Sequence, residues 1–116
     1  MLTLEEARAY LRMDSGFEDE LIGTLLASSE SLCMDVARLS PAEWNSLSEY
    51  DEAIGGTLSI RGEYMEKGDV LRIRQILRTG ILFALGYLFE HREEADHHEL
   101  VLTLRNLLFA VREGVV

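Results

Sequence analysis

At 116 residues the chain is one domain's worth of protein, long enough for a single hydrophobic core and too short for two. Hydrophobic residues make up 47% of it, charged residues 28%, and Pro occurs once, a balance that excludes both disorder and a fibrous repeat. Asp and Glu number 21 against 11 Lys and Arg, and the resulting charge of -10 has the wrong sign for gripping phosphates, so affinity for nucleic acid is not the default. The acidic opening Met1-Leu2-Thr3-Leu4-Glu5-Glu6 lacks the basic, apolar and small-residue regions of a signal peptide, and the single Cys33 cannot close an internal disulfide. Folding in the cytoplasm is the expectation. The longest uncharged apolar run, Gly80 to Phe89, falls short of the roughly 18 residues that a membrane-spanning helix needs.

In chain order, Thr3 and Glu6 form a capping box that predicts a first helix from Leu4 to about Arg12, with Leu4, Ala7 and Leu11 as its apolar stripe and Tyr10 beside them. Met13 to Gly16 reads as a turn. Glu18, Asp19 and Glu20 then place negative charge at the positive end of a second helix. Phe17, Leu21, Ile22, Leu25, Leu26, Leu32, Cys33 and Val36 keep helical spacing along it, with Ser29 the polar member of the series. Gly23, Ala27, Ser28, Ser29 and Ser31 offer thin surfaces, which suggests packing on more than one face.

Ser40-Pro41-Ala42-Glu43 supplies an N-cap, a proline at the first helical position and a capping carboxylate, so a short helix is expected from there to about Ala53. Gly55, Gly56, Gly62 and Gly68, with β-favouring patches at Thr57 to Ile60 and Tyr64 to Met65, predict a long loop or a small hairpin. Asp69 is placed to cap a long helix from Val70 to about Glu93. The second half of that helix, Ile81 to Phe89, is apolar on every side and therefore needs neighbours all round, which a chain of three or four helices is expected to draw from other subunits. Asp96 opens a last helix with Glu99 at its third position, burying Leu100, Leu104, Leu107, Leu108 and Val111 and ending near Gly114. The expected fold is all-α: one domain over 1–116, a small bundle of about four helices with a long central apolar helix, and an irregular or hairpin-like segment over about 40–69.

Candidate chemistry is sparse. Glu90, His91, Glu93, Glu94, Asp96, His97, His98 and Glu99 include one Glu-x-x-His step, Glu94 with His97, but a di-iron bundle needs two such steps and further inward carboxylates. A solvated turn between helices, with no metal, is the favoured reading. Cys33 lies within the apolar stripe of the second helix, where a thiol is an inert small hydrophobe. Gly55-Gly56 lacks the Lys-Ser or Lys-Thr of a P-loop, so neither an enzyme signature nor a cofactor site emerges. Of the 11 basic residues only Lys67 is a lysine, a bias that suits bidentate pairing with carboxylates across interfaces. Arg72, Arg74 and Arg78 crowd the start of the long helix, where the macrodipole disfavours cations, so nearby carboxylates are expected to neutralise them; simple solvation and a grip on DNA are the competing readings. Trp44, Tyr50 and Tyr64 are either interface anchors or satellites of the core.

Three segments together resemble a known family. Leu2 to Asp14 (LTLEEARAYLRMD), Asp19-Glu20-Leu21-Ile22 and Phe89-Glu90-His91-Arg92-Glu93 are similar, in order and spacing, to the small head-tail connector proteins of long-tailed bacteriophages and prophages, also called head-completion or adaptor proteins. The likeness covers roughly Leu2 to Arg38 and Leu71 to Glu93. Phe109-Ala110-Val111-Arg112 stands where the family commonly ends on a proline-aromatic-arginine phrase, and Ser40 to Asp69 has no counterpart. The resemblance implies a non-enzymatic subunit that joins about a dozen copies of itself in a ring beneath the portal, a closed rotation of one head-to-tail contact. Duplex DNA would pass through its channel without specific binding. The portal protein and a downstream stopper or tail protein would be its other partners, in the host cytoplasm during assembly and then at the head-tail junction of the virion. On that reading Arg72, Arg74, Arg78, Phe83, Tyr87, Phe89 and Arg92 are candidates for the contact between subunits, and Leu104, Leu108, Phe109 and Arg112 for contacts with portal or neighbour. The alternative is a cytosolic helical interaction module, a dimeric regulator that buries the same apolar surface in a two-fold contact.

Overall fold

The structure is a computed structural model that describes residues 1–12, 18–93 and 96–114. Its elements are α1 (Leu4–Leu11), α2 (Asp19–Val36), α3 (Pro41–Glu49), β1 (Leu58–Ile60), β2 (Glu63–Met65), α4 (Lys67–Glu90), α5 (His98–Leu107) and α6 (Phe109–Arg112). The molecule is mostly helical, but six helices and a two-stranded sheet among the described residues replace the expected bundle of about four. The Met13 to Gly16 turn, Phe17 and Glu94 lie outside the described residues.

Local chemistry explains most boundaries. The Thr3 hydroxyl accepts the Glu6 N–H at 3.1 Å while the Glu6 carboxylate accepts the Thr3 N–H at 3.0 Å. The same reciprocal box joins Ser40 and Glu43 at the start of α3. That helix ends at Glu49 rather than Ala53, because the Asp51 side chain accepts the N–H of Ala53 at 2.9 Å and closes a competing turn. Leu58 pairs with Met65, Ser59 with Tyr64 and Ile60 with Glu63. The two-residue turn between the strands, Arg61-Gly62, has φ of 52° and 81°, as the right-handed twist of a tight hairpin demands. Ile60 and Met65 are buried and Leu58 half-buried, while Ser59 and Tyr64 face outward.

Two starts differ from expectation by a few residues. Lys67 and Gly68 wind into the first turn of α4, so Asp69 is not its N-cap but sits within that turn, still near the positive end of the macrodipole. Asp96 lies one residue before the His97 cap of α5, where its carboxylate accepts the His98 N–H at 2.9 Å. At the other end α4 stops at Glu90, not Glu93. The expected single terminal helix breaks at Leu108 into α5 and α6. A straight helix would align Leu107 with Leu100, seven residues apart. The break instead turns Leu108 and Val111 inward and leaves Leu107 exposed.

The core runs along α4, which packs against α2, α5, α1, α3 and β2. This overturns the expectation that its apolar second half must be covered by other subunits. Ile81, Ala84 and Leu85 are fully enclosed, Leu82, Tyr87, Leu88 and Phe89 are half-buried, and of Ile81 to Phe89 only Phe83 is exposed. Two glycines allow one chain to do this. A Cβ on Gly80 would stand 2.9 Å from Leu108 and 3.5 Å from the Cys33 sulfur, so α2 and the α5–α6 break both close onto that point. On another side of α4 a Cβ on Gly86 would stand 3.3 Å from the Tyr10 ring. No helix among the described residues is long and apolar enough to cross a membrane.

Candidate functional site

Arginines account for much of how the elements are held, and they do so by capping backbone carbonyls. The last carbonyls of a helix are unpaired and carry partial negative charge. The Arg61 guanidinium, on the hairpin turn, donates to the carbonyls of Arg112 at 2.9 Å, Ala37 at 3.2 Å and Val111. Arg112 donates to the Val36 carbonyl at 3.1 Å. The C-terminal ends of α2 and α6 therefore converge on two guanidinium groups. Glu43 completes the joint by accepting the Arg61 N–H at 2.7 Å. Burial pushes the Glu43 carboxyl up, but the N–H groups of Ser40 and Arg61 outweigh it and the net shift is downward.

Arg74 donates to the carbonyl of Tyr50, the cap of α3, at 3.2 Å and lies 3.9 Å from Glu52. Arg78 donates to the Met1 carbonyl at 2.8 Å and pairs with Glu6. Carboxylates thus meet two of the three arginines at the start of α4, and both come from elsewhere in the same chain. Arg74 and Arg78 are occupied internally, whether the intended partner is another subunit or DNA; Arg72 remains exposed. The Arg78 guanidinium, followed by the Thr3 N–H, pulls the Glu6 carboxyl down to about 2. No cue in the sequence assigned Arg61 a role: Arg-Gly between two β patches marks a turn, but the carbonyls it reaches lie up to 51 residues away.

The remaining candidates divide by exposure. Leu104 and Leu108 are fully enclosed by their own chain and offer no surface to a portal or neighbour, a correction that follows from the inward turn at Leu108. Phe109, the first residue of α6, is 54% exposed. Arg112 is half-buried in the joint described above. Phe83 is exposed, and Arg92 lies 5.0 Å over the Phe89 ring and 3.9 Å from Glu18. Trp44 belongs to the core, Tyr50 is half-buried with its hydroxyl on the Gly56 carbonyl at 3.0 Å, and Tyr64 is free of the core at 82% exposure.

The histidine-rich junction is arranged around a ring, Tyr87. His91 stacks on it at 4.1 Å with Nδ1 2.9 Å from the Tyr87 carbonyl, and His97 meets it edge-on at 6.0 Å. Among the described residues no three His, Cys, Asp or Glu side chains come together to hold a cation. The Cys33 thiol is fully enclosed, and burial, aided by the Glu30 charge, pushes it up to about 12, so it stays protonated.

Among the described residues, two of the surfaces with apolar character lie towards opposite ends of α4. One is an open groove between α2 and the last turn of α4, walled by Leu21, Leu25, Leu32 and Leu88, with His91, Arg92 and His97 along its edge. The other is the hairpin end, where Tyr64 and Ile54 are each 82% exposed. Ile54 belongs to the loop that lies against the start of α4, a Cβ on Gly55 standing 3.9 Å from the Lys67 side chain. No family model, curated protein or solved structure matches this chain.

Proposed function

We propose that the chain is a structural subunit of a bacteriophage or prophage head-tail connector, joining copies of itself in a ring beneath the portal and binding a stopper or tail protein on the far side. One observation carries this reading beyond the sequence likeness: a subunit with a closed core still exposes Tyr10, Ile54, Tyr64, Phe83, Leu102, Leu107 and Phe109. Single exposed apolar residues are ordinary, but so many large ones on so small a chain favour association. The charge of -10 suits a lumen that repels the duplex and lets it slide. Assembly in the bacterial cytoplasm, catalysis-free and cofactor-free, belongs to the same proposal.

A dimeric regulator is the competing reading, favoured by Leu102, Leu107 and Phe109, which leave exposed apolar residues on both terminal helices. Electron microscopy of the purified protein, alone and mixed with a phage portal protein, separates the two. Annular density on the portal is the expected result. A particle that stays two-fold and adds nothing to the portal overturns the connector reading.

A further inference from the structure

We draw no further inference here: the strongest candidate, the open groove between α2 and the last turn of α4 walled by Leu21, Leu25, Leu32 and Leu88, is an apolar face for which nothing in the structure shows what covers it.

Discussion

Arg61 occupies a positive-φ position in a two-residue turn, where glycine or asparagine is the cheaper choice. What offsets that cost is the reach of its planar fork to carbonyls at the ends of two helices at once. Arg61→Ala is expected to lower the unfolding free energy by about 2 kcal/mol, since several charge-assisted hydrogen bonds are lost. Arg61→Lys, which keeps the charge but not the fork, should recover less than half of that in urea denaturation. A second residue-scale consequence concerns acid. Glu6 sits in the folded chain at about 2 against an ordinary 4.5, so its pairing with Arg78 contributes in full above about pH 4.5 and is lost as pH falls toward 2. Because both side chains are partly solvent-exposed, the contribution is modest. Denaturation at about pH 5 and about pH 3 should therefore show a larger acid loss in the unsubstituted protein than in Arg78→Ala, where that pair is already gone.

At the scale of elements, the two glycines of α4 make opposite predictions. Each Gly→Ala change gains about 1 kcal/mol of helix propensity. At Gly80 the new methyl meets Leu108 and Cys33, both fully buried with nowhere to retreat, and overpacking typically costs about 1–3 kcal/mol. Gly80→Ala is therefore expected to lower Tm by several degrees. At Gly86 the neighbour is the half-exposed Tyr10 ring, which can swing toward solvent, so Gly86→Ala should leave Tm unchanged or raise it slightly. Calorimetry on the pair reads the sign directly. The contrast also marks what a sequence can disclose. Both capping boxes were legible because each involves residues three apart, and the β patches around Arg61-Gly62 because a hairpin turn is equally local. The break at Leu108 was not, since it depends on the fit of that side chain against Gly80, distant in the chain. The same limit governs the candidate site. That Leu104, Leu108, Phe83 and Phe109 are apolar is plain, but which pair is enclosed and which faces water is decided by the tertiary packing of α4.

For the whole molecule, charge sets the conditions of assembly. The chain carries -10 at neutral pH, and the proposed ring would gather many such copies. At about 10 mM salt the screening length is about 30 Å, close to the 40 Å length of the molecule, so every acid on one copy opposes every acid on the next. At about 150 mM the length falls to about 8 Å, and only groups at the contact still act on one another. The net like charge is then silenced, while apolar burial at a contact between copies is little affected by salt in this range. Self-association is accordingly expected to strengthen between about 10 and about 150 mM salt, as a rise in weight-average mass by sedimentation at fixed protein concentration. If instead association weakens steadily over that range, attraction between opposite charges outweighs the subunits' mutual repulsion, and the contact is chiefly ionic, with its apolar centre secondary.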